Sequence, residues 1–110
     1  MDFKIIAVDF DGTLCTNKWP EIGAPNVSFI EWLKVEAMRG TRLILWTCRT
    51  GDMLKKAVKW CENQGLYFDA VNDNVPEANE KFGSNSRKIF ADVYIDDKSL
   101  SVRADEWVKN

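Results

Sequence analysis

Two aspartates separated by one residue, Asp9 and Asp11, follow an apolar run near the N-terminus. Side chains two positions apart on a strand share a face, so these carboxylates repel each other unless a positive charge lies between them. A divalent cation with oxygen ligands would supply that charge, and Mg²⁺ is the expected one. The alternative is a polar turn with two solvated aspartates, but the complete string DFDGTL at 9–14 favours a functional motif.

The segment around this pair is suited to position it. Residues 3–8 are apolar at nearly every position, which predicts a strand covered on both faces, as in a parallel sheet under helices. Gly12 allows the chain to turn sharply, and Thr13 can hydrogen-bond the backbone there. The aspartates are therefore expected at the carboxyl end of a central strand, where open α/β sheets bind their ligands.

The remaining chain alternates between strand-like and helix-like patterns. Further strands are expected at 42–46, 67–71 and 92–95, and helices at 25–40, 52–65 and 86–90. Pro25 is expected in the first turn of the first helix, and Asp52 is expected to cap the second. The segments 15–24 and 72–85 are predicted to be loops, the latter with at most one helical turn.

The first predicted helix has an apolar stripe and a charged face. The stripe comprises Val27, Ile30, Leu33, Ala37 and Met38, and the solvated face comprises Glu31, Lys34 and Glu36. Strands that alternate with helices predict right-handed βαβ units and a parallel sheet. We therefore expect an α/β fold, a Rossmann-like three-layer sandwich with a mainly parallel sheet of four to five strands, as one domain over 1–110.

The composition is that of an ordinary globular protein, with 45% hydrophobic residues, 29% charged residues and a net charge of -2. This charge gives no strong field toward nucleic acid or an anionic membrane, and Lys55, Lys56 and Lys59 are interpreted as a solvated helix face. No apolar stretch has the length of a membrane span and no signal peptide is evident, which predicts a cytoplasmic protein without a membrane partner. The cysteines, odd in number and without CxxC spacing, are expected to be reduced thiols.

Several catalytic classes are excluded by residues that the chain lacks. It has no histidine, so Ser-His-Asp and Cys-His catalysis and histidine-bound zinc are ruled out. It also lacks GxGxxG and GxxxxGK[ST], which argues against dinucleotide and P-loop nucleotide binding. The nucleophiles that remain are carboxylates and hydroxyls.

The predicted sheet should bring several polar residues to one edge, because the carboxyl ends of parallel strands lie together. The expected set is Asp9, Asp11, Thr47, Asp96 and Asp97, with Lys88 within reach. A carboxylate nucleophile, Mg²⁺, a hydroxyl and a cation are the components of phosphoryl transfer.

The ordered set of motifs resembles the haloacid dehalogenase (HAD) superfamily of phosphohydrolases. The four matching motifs are DFDGTL at 9–14, LWT at 45–47, Lys88 and YIDD at 94–97, and together they cover nearly the whole chain. The resemblance implies a Mg²⁺-dependent phosphomonoester hydrolase in which Asp9 is the nucleophile and forms an aspartyl-phosphate. Asp11 would protonate the leaving oxygen and later activate the hydrolytic water.

The same resemblance implies the ligands of the substrate and of the metal. Thr47 and Lys88 would hold the transferred phosphoryl group, and Cys48 and Arg49 at the same tip are further candidates to contact substrate. Mg²⁺ would be bound by Asp9, Asp96 and the backbone carbonyl of Asp11. Asp97 would either support these ligands or reach the ion through water.

The length of the connecting segments also bears on the substrate. Members of this superfamily that act on small metabolites usually carry a cap domain, and residues 12–24 and 72–87 are too short for one. The resemblance therefore implies an open site, which would accept the phosphorylated end of a nucleic acid or protein. A small phosphorylated molecule would also fit if a second subunit of a homo-oligomer supplied the lid.

Other interpretations stay open at this point. The chain could be a receiver-like phosphoacceptor domain, although the order of its acids and its threonine is wrong for one, or a catalytically weak or inactive binding module on the same scaffold. Thr47 could cap a turn, Lys88 could be a plain surface lysine, and Arg49 could pair with an acid such as Asp52. Asn72 and Asp73 are expected to form a turn.

Overall fold

A computed structural model describes residues 3–83 and 89–97. Its elements in chain order are β1 (Ile5–Val8), β2 (Cys15–Lys18), β3 (Glu21–Pro25), α1 (Val27–Met38), β4 (Arg42–Leu45), α2 (Gly51–Asn63), β5 (Ala70–Val71), α3 (Pro76–Phe82) and β6 (Val93–Ile95). Four strands form a parallel sheet in the order β5-β4-β1-β6. The predicted α/β fold is confirmed, with four strands in this sheet among the described residues.

The sheet has a separate apolar core on each face. Ile6 and Val8 of β1 face a core formed with α1 and α2, whereas Ile5 and Ala7 face a core that includes Ala78 of α3. All four β1 side chains are buried, as a central parallel strand requires. The helices therefore lie on both sides of the sheet, in the predicted three layers.

The charged face predicted for α1 is partly wrong. Ile30 and Leu33 are buried as expected, but Val27, Ala37 and Met38 are exposed and Glu36 is only 7% exposed. Glu36 is buried because the chain turns back over it after the helix. Its carboxylate accepts a hydrogen bond from the Thr41 hydroxyl at 3.0 Å and lies 3.6 Å from the Arg39 guanidinium and 3.9 Å from the Lys4 amine.

The loop predicted at 15–24 is instead an antiparallel hairpin formed by β2 and β3. Its turn contains Trp19 and Pro20, which are joined by a cis peptide bond. Pro25 ends β3 rather than starting the helix, and α1 begins after Asn26, whose backbone N–H donates to the carbonyl of Leu14 at 2.8 Å. Most side chains of the hairpin are exposed, so its strands lack the alternation of apolar and polar residues that would predict them from sequence.

Three smaller predictions also need correction. Residues 67–71 form a strand only at Ala70–Val71, and the segment after Asn74 forms α3, which is longer than one turn. The N-cap of α2 is Thr50, and Asp52 lies within the first turn instead of capping it. The tail after residue 97, Lys88 and most of the predicted 86–90 helix lie outside the described residues. In the part of the chain that is described, no helix is long and apolar enough to cross a membrane.

One ion pair ties α3 to the start of β4 and generates a prediction. The two terminal guanidinium nitrogens of Arg42, Nη1 and Nη2, donate to Glu77 at 3.1 and 2.6 Å. This hydrogen bonding is the main reason that the pKa of Glu77 is lowered. Because the pKa is lower in the folded than in the unfolded state, the pair stabilises the fold above the ordinary glutamate range. That stabilisation is lost as the pH falls through the lowered pKa.

We therefore expect Glu77→Gln to lower the melting temperature at pH 7 and to have little effect once the pH is below the glutamate range. Circular dichroism melts across this pH range provide the measurement. Glu80→Gln, at an exposed position of the same helix, is the matched control and should change little at either pH. An equal loss of stability by Glu77→Gln at both ends of the range would contradict this account.

Candidate active site

The sheet register places the ends of three strands side by side. Val8 of β1 pairs with Leu45 on one side and with Ile95 on the other. Hydrogen bonding continues past the strands, because the Asp9 N–H donates to the Ile95 carbonyl and the Trp46 N–H donates to the Val8 carbonyl, both at 2.9 Å. The residues that follow β1, β4 and β6 are therefore held at one edge of the sheet.

A cleft of about 280 Å³ opens at this edge. Its lining contains six of the residues predicted to act there, together with one from the hairpin: Asp9, Asp11, Asn17, Thr47, Cys48, Asp96 and Asp97. The structure thus brings together every predicted acid. Lys88 lies outside the described residues, and Asn17 is an addition that sequence reasoning missed because the hairpin itself was missed.

Asp9 lies in an unfavourable electrostatic environment. Burial raises the pKa of its carboxyl, and the nearby charges of Asp97, Asp96 and Asp11 raise it further. The Phe10 N–H, which donates to Asp9 Oδ1 at 2.7 Å, acts in the opposite direction. The cleft consequently holds more negative charge than the side chains around Asp9 compensate.

Hard oxygen donors and excess negative charge are the chemistry that Mg²⁺ requires, so the donor types fit the predicted ion. Within residues 3–83 and 89–97, however, no three Asp, Glu, Cys or His side chains are grouped closely enough to hold a metal. Mg²⁺ commonly keeps several waters and uses only one or two carboxylates. A Mg²⁺ site here would therefore use Asp9 and Asp96, a backbone carbonyl and water, rather than a cage of four acids.

Asp97 packs directly against the turn that follows Asp9 and Asp11. Gly12 has a φ of +83°, and a Cβ added there would lie 2.5 Å from Asp97 Oδ2. Gly12 is thus needed for two reasons, the positive φ and the close approach of the carboxylate. The sequence indicated the first reason, while the second depends on the pairing of β1 with β6.

The loop that follows β4 is held in place by the side chain of Asn72, which lies directly after β5. The Thr47 N–H donates to Asn72 Oδ1 at 2.7 Å, and Asn72 itself has a positive φ of +52°. The Thr47 hydroxyl accepts a hydrogen bond from the Arg49 N–H at 3.1 Å, so Thr47 does stabilise the turn. Its hydroxyl proton remains a donor, and the exposed Cys48 lines the cleft beside it.

Arg49 takes up one of the two roles that the sequence left open, the pairing with an acid. Its side chain is 1% exposed and forms a two-pronged ion pair with Asp11, Nε to Oδ2 and Nη2 to Oδ1, each at 2.8 Å. The alternative that Arg49 pairs with an acid is therefore confirmed, although the acid is Asp11 and not Asp52. The predicted contact with substrate does not fit, because these donors are directed at Asp11 and at the hairpin.

The Asp11 carboxylate is likewise occupied on both oxygens by this pair. The resemblance assigned the metal contact of Asp11 to its backbone carbonyl, which this pair leaves unchanged. No local signal identifies the pair, since 38 positions separate the two residues.

No protein-family model matches the chain, and no curated protein matches it. The solved structure of a conserved protein from Bacteroides thetaiotaomicron is similar, with 38% identity and a TM-score of 0.79. The alignment covers 98% of this chain and 91% of that one. The chain belongs to the family of that Bacteroides protein. This relative is described as a conserved protein, so family membership supports the fold and not a particular reaction.

The close approach of Asp97 to Gly12 leads to a testable prediction for the stability of the protein. Gly12→Ala should destabilise the protein by about 2 kcal/mol, from the left-handed backbone penalty and the cost of moving the Asp97 carboxylate. Gly40→Ala is the matched control, since Gly40 has a φ of +95° but no atom within 4 Å of an added Cβ. It should lose only about 1 kcal/mol.

Urea denaturation of the two variants and the parent protein measures both losses. Equal losses for Gly12→Ala and Gly40→Ala would mean that the carboxylate of Asp97 does not press against Gly12.

Proposed function

We propose that this protein is a Mg²⁺-dependent phosphomonoester hydrolase that works through an aspartyl-phosphate on Asp9. The observation that supports the proposal most is the single cleft in which Asp9 and Asp11 lie with Thr47 and the Asp96-Asp97 pair. The order of these residues along the chain, which resembles the HAD superfamily, agrees with it. A carboxylate is also one of the two nucleophile types, with hydroxyls, that remain in a chain without histidine.

In the first half-reaction, a carboxylate oxygen of Asp9 attacks the phosphorus of the monoester. The bond between phosphorus and the ester oxygen breaks, and the leaving oxygen takes a proton from Asp11 or, where it forms a stable anion, departs without one. In the second half-reaction, water attacks the phosphorus of the aspartyl-phosphate and loses a proton to the Asp11 carboxylate. The bond from phosphorus to Asp9 breaks, which regenerates the free carboxylate and releases inorganic phosphate.

Asp9, Asp96 and the Asp11 carbonyl would hold Mg²⁺, which supplies the positive charge that lets a phosphate dianion approach this acidic cleft. Thr47 contributes a hydroxyl donor to the phosphoryl oxygens, and Asn72 keeps its loop in place. Asp97 lies close against the turn at Gly12. Lys88 is proposed as the cation that binds the transferred group.

The hairpin between β1 and α1 spans only 15–25, which is far smaller than a cap domain. The proposed substrates are therefore phosphorylated ends of a nucleic acid or protein, or small phosphorylated molecules enclosed by a second subunit. An open cleft of this size accommodates the phosphoryl group without selecting what is attached to it.

The decisive experiment is turnover of 4-nitrophenyl phosphate. We expect hydrolysis with Mg²⁺ that is lost in EDTA, and Asp9→Asn should reduce kcat by at least about a thousandfold because it removes the nucleophile. Asp52→Asn, on the exposed first turn of α2, is the control and should keep full activity. Undiminished turnover by Asp9→Asn would exclude Asp9 as the nucleophile.

Thermal stability provides a test that does not depend on finding a substrate. In EDTA, Asp9→Asn should raise the melting temperature, since it removes one of the charges that crowd the cleft. Mg²⁺ should stabilise the parent protein, because a ligand that binds only the folded state shifts the unfolding equilibrium. The gain should shrink in Asp9→Asn, whereas an identical Mg²⁺ shift in both proteins would place the ion elsewhere.

A further inference from the structure

The guanidinium of Arg49 connects three parts of the site. Nε and Nη2 bind the two carboxylate oxygens of Asp11. Nη1 donates to the Pro20 carbonyl at 3.2 Å, and Nη2 also donates to the Glu21 carbonyl at 3.0 Å. The side chain of Arg49 thereby joins the tip of β4 both to the acid after β1 and to the turn of the hairpin.

Two aromatic rings complete the surroundings of this guanidinium. Its Cζ lies 5.0 Å from the centre of the Phe10 ring and 4.8 Å from that of the Trp19 ring. Such contacts favour a cation held at a fixed place, and the Arg49 side chain is only 1% exposed. Asp11 is less enclosed, with a side chain that is 19% exposed and that lines the cleft.

The backbone of Arg49 is fixed as well. Its N–H donates to the Thr47 hydroxyl oxygen, and the Thr47 N–H donates to Asn72. A continuous series of hydrogen bonds therefore runs from Asn72 through Thr47 and Arg49 to Asp11. The proposed phosphoryl-binding hydroxyl and the proposed acid-base residue are thus set relative to each other.

We propose that Arg49 is the positioning residue that holds the Asp11 carboxylate for hydrolysis of the aspartyl-phosphate, an inference that rests on the proposed function. An arginine fork pairs with an ionised carboxylate, which is the form that accepts a proton from water. Each carboxylate oxygen has a second lone pair, so Asp11 can bind water while it is paired with Arg49. Protonation of the leaving oxygen, in contrast, would require this pair to rearrange.

The two half-reactions can be separated with 4-nitrophenyl phosphate, whose leaving group is a stable anion that needs no proton. Loss of the Arg49 fork should therefore slow the second half-reaction and spare the first. Arg49→Lys, which keeps the charge, should lower the steady-state kcat by about 10- to 100-fold. Rapid-quench measurements should then show a burst of about one nitrophenol per enzyme and accumulation of phosphoenzyme. Both are expected when hydrolysis of the covalent intermediate becomes rate-limiting.

Two further variants define what the result means. Asp11→Asn should give the same burst, and adding Arg49→Lys to it should slow turnover no further, because the two residues act as one unit. Arg42→Lys is the matched control, since Arg42 forms a similar bidentate ion pair with Glu77 at the opposite end of β4. It should lower the melting temperature without a burst.

A purely structural role for Arg49 would slow both half-reactions together. Arg49→Lys with reduced turnover and no burst, or with unchanged turnover, overturns the inference and leaves the proposed function standing. Absence of Asp9-dependent turnover in the parent protein overturns the function and the inference with it.

If circular dichroism shows that Arg49→Lys is unfolded, Trp19→Leu decides instead, because Trp19 is 57% exposed and its ring covers the guanidinium. A smaller burst supports the inference, and no burst refutes it.

Discussion

The crowding of carboxylates at the end of β1 is the constraint on which the rest of the site depends. The pairing of Val8 with Ile95 makes Asp9 a neighbour of the residues that follow β6, so the register itself brings the acids together. Burial is the main reason that the pKa of Asp9 is raised, and the charges of the neighbouring acids raise it further. Carboxylates perturbed in this way are found more often at functional sites than elsewhere.

The neighbouring structure limits this repulsion in two ways. Arg49 neutralises Asp11, the acid nearest to Asp9 in the chain, with a guanidinium that is itself buried and could not remain there without an opposite charge. Gly12 lets the backbone turn close beneath Asp97, so that this carboxylate has space at the edge of the cleft. The remaining charge surrounds Asp9, where a cation and a phosphate would be placed.

The sheet could be predicted from sequence because its signal is local. The apolar residues of β1 and β4 are contiguous, and acids or a hydroxyl follow directly, so strand direction alone predicts where they meet. The hairpin at 15–25 carries no such signal, since its polar strands are stabilised by pairing with each other. Glu36 was misplaced for a related reason, because helical periodicity does not register the hydroxyl of Thr41 on the following turn.

The ion pair between Arg49 and Asp11 shows that site residues can be predicted from sequence without the contacts between them. From sequence, Arg49 has a local partner in Asp52 and a plausible one in substrate, and nothing favours an acid 38 positions away. The fold decides among them, because β4 lies beside β1 and the hairpin closes over the guanidinium with two carbonyls. The same contacts that satisfy this buried charge fix the hairpin against the cleft. A segment without any catalytic motif thereby becomes part of the wall of the site.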